Sequence, residues 1–267
     1  MGGPALSVDD FVLFGALALM FAPLERIWPA GPSGWSSGRL TTDALHVVVG
    51  GFLIRWGSLG ATLIVSVLVA RLMPERMHAI IRTQSLWLQF SELFILSDIG
   101  FYLAHRLTHT IPWLWQCHEV HHSSEHLDWL ATYRVHPFDQ IFNGVIIAMP
   151  GILLGFVPAA FVIHAFIYKF HAMLLHSNLR INFGPLKWLI ASPHYHHWHH
   201  ANERAAYDKN FGGQLVVFDW LFGTLNMPQH RPVAFGITES ISPKFFGQMA
   251  HPFRRRVQLR TIHDARA

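Results

Sequence analysis

Imidazole is concentrated in this chain. Fifteen of its twenty histidines fall between His105 and His200. Three groups carry the pattern: His105-Arg-Leu-Thr-His109, His118-Glu-Val-His121-His122 and His196-His197-Trp-His199-His200. On a helix, residues three or four apart share a face. His105 and His109 therefore stand side by side, His118 meets His121 and His122, and His196 meets His199 and His200. Each His-x-x-His-His group can converge on one point or on two neighbouring points. Imidazole without thiolate suits Zn, Cu, Fe or Ni. One zinc ion takes three or four ligands, so eight histidines in this pattern imply two ions, or one ion with histidines to spare. The single cysteine, Cys117, rules out a thiolate cluster and any disulfide within the chain, and reads as a buried, inert thiol. A competing signature lies inside the second group: His118-Glu119-x-x-His122 spells the zinc metalloprotease motif, with Glu119 as general base. That reading leaves His105, His109, His196, His199 and His200 unexplained.

The elements that must position these rings are apolar. The 267 residues are 51% hydrophobic and 13% charged, about half the charged share of an ordinary soluble domain, and the mean hydropathy is +0.28. Ten Trp and 21 Phe fit a chain with much surface in or beside lipid. Residues 8–24 read as a first membrane helix, short or tilted, because no basic segment precedes it as in a signal peptide. Residues 29–42 are a Pro/Gly/Ser-rich loop. The run 44–72 is a second span containing Arg55, which must snorkel, face protein or mark a helix end. Residues 86–104 are a third span that continues past the lipid into His105. Residues 141–168 are apolar but broken at Pro150-Gly151 and Pro158. Each half is too short for a core of about 30 Å, so a hairpin entering and leaving one face is expected, with one kinked span as the alternative. No internal repeat or low-complexity linker divides the chain, and one domain spanning 1–267 is the simplest account. The net charge of +4 comes largely from Arg254, Arg255, Arg256, Arg260 and Arg266 in a tail over 244–267. In so apolar a chain this suits anionic lipid on a cytoplasmic face, not nucleic acid.

Further residues extend the pattern. Asp98-Ile-Gly-Phe-Tyr-Leu-Ala leads into His105. Ser-Ser follows His122. Arg134-Val-His136-Pro137, His176-Ser-Asn178, Asn210-Phe-Gly-Gly213 and Asp219-Trp-Leu-Phe-Gly-Thr224 follow in order. In these segments and in the order of its histidine groups the chain resembles the fatty acid hydroxylase/sterol desaturase superfamily, over about residues 90–225. The resemblance implies an all-α integral-membrane helical bundle with a His-rich cytosolic cap holding two iron ions. Its metal ligands would be His105, His109, His118, His121, His122, His196, His199 and His200, with His176 as a ninth. His171 and His136 are expected to support ligands by hydrogen bonds, with a ligand role for each as the alternative. The extra histidines at 194 and 197 depart from the family's last group, and His197 remains a possible ligand. Asp98, two turns before His105, either accepts the second N–H of a ligand ring or pairs with Arg55 or a backbone group. Glu119 and Asn178 are similar supporting candidates. His46, His78, His126, His164, His230, His251 and His263 read as surface or packing residues.

The activity this implies is a mixed-function oxidation in which O2, with electrons and protons from outside, hydroxylates or desaturates an unactivated C–H of a lipid. No flavin or nucleotide fingerprint is present, so a partner must deliver electrons, and the family suggests a cytochrome b5, a ferredoxin or a reductase. The site would face the cytoplasm, from a bacterial inner membrane or the endoplasmic reticulum, with the former favoured. A membrane zinc hydrolase and a metal transporter or scaffold, the latter from intramembrane Arg55, Glu92 and Asp98, are the alternatives.

Overall fold

The computed structural model describes residues 8–69 and 72–254. Arg255, Arg256, Arg260, His263 and Arg266 of the basic tail lie outside the described residues. Among the described residues the regular structure is helical, with isolated bridges and no named strand. Helix α1 (Val8–Ile27) is followed by α2 (Ser37–Leu45), a π-helical turn over His46–Gly50, and α3 (Gly51–Val69). Next come α4 (Glu75–Arg82), α5 (Leu86–Thr110), α6 (Pro112–His122), α7 (Pro137–Leu154) and α8 (Pro158–His176). The cap adds α9 (Pro193–His199), α10 (Val217–Phe222), α11 (Phe245–Met249) and α12 (His251–Arg254).

Among the described residues, four runs are long and apolar enough to cross a membrane: Ser37–Val69, Leu86–Thr110, Pro137–Leu154 and Pro158–His176. Helix α1, expected as a first span, is not among them. Only the stretch 11–24 is free of charge, about 21 Å of helix, and Glu25 at its end is buried. Instead Leu17 and Phe21 of α1 pack on Trp129, Leu130 and Met173. Arg55 lies inside α3 and so marks no helix end.

Proline sets the starts of the elements that carry or flank the histidines. Pro112, Pro137, Pro158 and Pro193 each occupy the first turn of their helices, where a missing N–H costs nothing. Pro112 also explains the end of α5 at Thr110: the residue before a proline is driven out of the α region, and Ile111 is extended. The expected break at Pro150-Gly151 is not there. Helix α7 runs through it, ends at Gly155 in the left-handed region (φ 72°), and α8 begins at Pro158. The two helices have 18 and 19 residues, about 27 and 28 Å each. Each is thus long enough to cross a membrane, not one of the two short halves expected, because each extends into the polar residues beside the histidines. Gly151 lets the two helices meet: a Cβ there would fall 2.5 Å from Phe161 Cζ. Ser97 of α5 donates to the Ile147 carbonyl at 2.6 Å, fixing α5 to α7.

Candidate metal centre

The C-terminal half of α5, all of α6, the last turn of α8 and α9 bring nine imidazoles to one buried place. They divide into two groups. His105, His109, His118, His122 and His199 form one, and His121, His176, His196 and His200 the other, with the ligand-type atoms in each group within 4.8 Å of one another. These are the nine residues whose convergence the sequence predicts. Each His-x-x-His-His segment serves both groups. In α6, His118 and His122 face one group while His121 turns to the other; in the last segment His199 joins the first and His196 and His200 the second. The groups touch where the rings of His122 and His200 stack at 4.4 Å.

The hydrogen bonds behind the rings fix their chemistry. His105 Nδ1 donates to the Phe211 carbonyl at 2.9 Å, His121 to Arg134 at 3.1 Å, His176 to Ala172 at 2.7 Å and His199 to Lys209 at 2.8 Å. A carbonyl only accepts, so each Nδ1 carries the proton and each Nε2 is a bare lone pair. The Nδ1 of His118 faces the Asp139 carboxylate at 3.1 Å, with the same result. Yet the Nε2 atoms face one another. His105 and His118 are 3.1 Å apart, His121 and His176 3.1 Å, and His176 and His196 2.9 Å. In the first two pairs both nitrogens are bare acceptors, which repel at that distance. Two nitrogens bound to one ion at 2.0–2.1 Å would stand about 2.9–3.4 Å apart. The Nε2 atoms of His109 and His199 are also buried without a hydrogen-bond partner. The donor set therefore fits two cations, one per group.

Electrostatics favour the same state. Burial, then the neighbouring His118, holds His121 down to about 4. Burial, followed by neighbouring imidazoles, puts His122, His196, His199 and His200 well below the usual histidine range. These five rings are pushed toward the neutral form that metal binding requires.

The expected supporting residues sit elsewhere. Asp98 reaches no ligand ring: its two oxygens accept the Gln214 and Leu215 N–H groups at 2.8 Å each, the backbone alternative. Glu119 turns to His251 of α12, at 2.5 Å. One helix position cannot serve both the side facing His118 and His122 and the opposite side. His136 caps α7, its Nδ1 accepting from Phe138 N, while its Nε2 reaches the Met249 carbonyl. His171 bonds Gln214 and the Ala191 carbonyl. Asn178 makes two bonds to the Gly31 backbone. His197 reaches the Ser177 carbonyl and Arg231, and burial, then Arg231, pushes it down to about 3. None of these six belongs to either group; they hold the loops and helix ends around the rings.

Sequence reasoning missed Asp139, which stands two residues after Pro137 in the first turn of α7. The available signal is a carboxylate just after the Arg-x-His-Pro segment. It also missed His251, and the backbone carbonyls that orient four rings, which no side chain announces. Asp219 has an indirect role: it accepts the Phe211 and Gly212 N–H groups at 2.8 Å and the Tyr195 hydroxyl, so it shapes the loop whose Phe211 carbonyl orients His105. Arg134, whose carbonyl orients His121, is anchored through its guanidinium to Asp43, 2.9 Å from Nε.

The chain is 34% identical over 163 residues to an ornithine lipid hydroxylase of Rhizobium tropici, covering 61% of this chain and 49% of that one. It is 31% identical over 156 residues to the human alkylglycerol monooxygenase, 58% of this chain and 34% of that one. It is also 30% identical over 138 residues to a very-long-chain aldehyde decarbonylase of rice, 49% of each chain. It thus spans about half or less of the length of these relatives. No solved structure matches it. The fatty acid hydroxylase family model matches residues 90–224, the stretch that holds every one of the nine converging histidines. The chain belongs to the fatty acid hydroxylase family, as one of its multi-pass membrane members.

Proposed function

We propose that this protein is a membrane lipid hydroxylase whose nine histidines hold two iron ions. The observation that carries the reading is the pair of adjacent imidazole groups, five and four strong, with bare Nε2 atoms aimed inward at the mouth of a bundle of apolar helices. Bound there, iron would supply the activation of O2 needed to insert oxygen into an unactivated C–H bond.

The chain's own residues do the rest. The Phe211, Arg134, Ala172 and Lys209 carbonyls and the Asp139 carboxylate fix ring orientation and tautomer, so ligand atoms are presented without rearrangement. The rings of Phe101 and Tyr168, 5.9 Å apart, stand beneath His105, with Phe101 5.0 Å from it. They form an apolar wall that excludes water and lets a hydrocarbon chain approach from the bilayer. Electrons come from a separate protein, of cytochrome b5, ferredoxin or reductase type. Relatives named hydroxylase and monooxygenase favour hydroxylation over desaturation, and an amphiphilic lipid as substrate. The centre faces the cytoplasm, in a bacterial inner membrane. A zinc hydrolase built on His118 and His122 is disfavoured by the orientation of Glu119, whose carboxylate pairs with His251.

Metal analysis of the purified protein, together with mass spectrometry of lipids from cells with and without the chain, tests this reading. Two irons per chain and a lipid gaining one oxygen are expected. A single zinc, with peptidase activity abolished by Glu119→Gln, would overturn it.

A further inference from the structure

We propose that the cap carries a foot embedded in the membrane interface: the 3-10 turn Gly184–Trp188 and helix α10 form one apolar patch that rests in an anionic phospholipid bilayer against the flank of α5. Leu186, Trp188, Leu189, Trp220, Leu221 and Phe222 are each between 49% and 70% exposed. A soluble surface rarely leaves so many large apolar side chains together. They belong to one unit, because Val216 N donates to the Leu189 carbonyl at 3.0 Å and Ala191 N to the Gln214 carbonyl at 2.9 Å.

The unit is held low on the molecule. Asp98 of α5 accepts both the Gln214 and Leu215 N–H groups, and His171 of α8 bonds Gln214 and the Ala191 carbonyl. Gly213 permits the approach: a Cβ there would lie 2.6 Å from Phe101 Cδ1. Asp98 is seven residues before His105, about 10 Å along the helix, so the foot lies on the membrane side of the imidazoles. It also continues the lipid-facing surface of α5. Phe222 stacks on Tyr102 at 5.2 Å and 19°. Ile95, two turns from Tyr102 on the same face, is 53% exposed. Chemistry identifies the bilayer as occupant. Tryptophan favours the headgroup level, and Lys187 Nζ, 5.2 Å from the Trp188 ring, can reach lipid phosphate while its stem lies on apolar surface. The foot thus sets the bilayer boundary near Asp98 and Tyr102, with the nine imidazoles just outside the hydrocarbon.

Site-directed spin labelling tests this. The one native cysteine, Cys117, is 1% exposed, so labels report single introduced positions. Trp220→Cys and Leu189→Cys are labelled in the full chain in vesicles of phosphatidylcholine and phosphatidylglycerol, with Gln229→Cys, on an exposed loop, as reference. At both foot positions the label should be relaxed several-fold more weakly by a water-soluble nickel chelate, and more strongly by oxygen, than at 229. Chelate accessibility equal to that at 229 would overturn the proposal. So would exclusion of both reagents with spin–spin broadening, which would assign the patch to a second copy of the chain. The label at 189 decides the matter if Trp220→Cys does not fold.

Discussion

The two imidazole groups are built alike but are not equally supported. In the five-histidine group, carboxylates stand behind two of the rings, beside the carbonyls that hold His105 and His199: Asp139 is 3.1 Å from His118 Nδ1 and Asp208 3.7 Å from His109 Nδ1. In the four-histidine group, backbone carbonyls hold His121 and His176, while the Nδ1 atoms of His196 and His200 are buried without a partner. A carboxylate behind a ligand ring raises its basicity and fixes its orientation. On the proposed reading of two bound ions, the two positions are inequivalent, with the carboxylate-backed one binding more tightly.

The largest effects come from removing a ligand on either side of that contrast. His118→Ala and His121→Ala should each lower lipid hydroxylation by more than about 100-fold, read by product mass spectrometry. Iron content should fall below two per chain in both, and further in His118→Ala, which leaves the buried Asp139 carboxylate without its imidazole partner. Full activity of either variant would remove that residue from the ligand set. Asp139→Asn sharpens the comparison: metal affinity of the five-histidine group should weaken about 10- to 100-fold. The other group should be unchanged, so a titration with cobalt should resolve one shifted and one unshifted step. Equal weakening of both would break the contrast. Stepwise chelation of the native protein should remove one metal before the second, and simultaneous loss would show the groups to be equivalent.

Acid should act on the metal-free protein in a defined direction. His121, held down to about 4 in the fold by burial and His118, titrates near 6.5 when unfolded. Below that value the unfolded chain binds protons that the folded chain refuses. Stability is therefore present above about pH 6.5 and is lost as the pH falls through about 4. Thermal unfolding of chelated protein across this window measures it, and bound metal should move the loss to lower pH. The smallest effect on the centre is expected for Glu119→Gln. Its iron content and hydroxylation should stay near native levels, with a stability loss of about 1–3 kcal/mol from the altered buried pair with His251.

Much of the centre is legible along the chain because helical spacing is a local property. His105 and His109, and both His-x-x-His-His segments, sit within one or two turns of a single helix, so their convergence follows from backbone geometry alone. The partners behind them are not local. Asp139 meets His118 across 21 residues, and the Phe211 carbonyl meets His105 across 106. Backbone carbonyls exist at every position, so no residue type flags them. Asp98, Asn178 and Glu119 reach partners other than the rings for one reason. Sequence proximity to a ligand says which helix a carboxylate or amide occupies, but its direction is set by what packs opposite, and Gln214, Gly31 and His251 are all remote in the chain.

The membrane elements divide in the same way. Hydropathy identifies α3, α5 and the α7–α8 pair, since an apolar run of sufficient length has few other places to go. It does not place α1, whose uncharged stretch is short and whose Leu17 and Phe21 meet Trp129 and Met173, and it reads a break at Pro150 where α7 continues. By itself, then, the sequence determines an imidazole-rich centre at the ends of apolar helices, because periodicity and composition are written residue by residue. Only the tertiary structure decides that each His-x-x-His-His segment is shared between two groups, and which group has carboxylates behind it. Those outcomes depend on how α5, α6, α8 and α9 cross and on what the intervening loops bring to their backs, both of which are fixed by packing between distant segments.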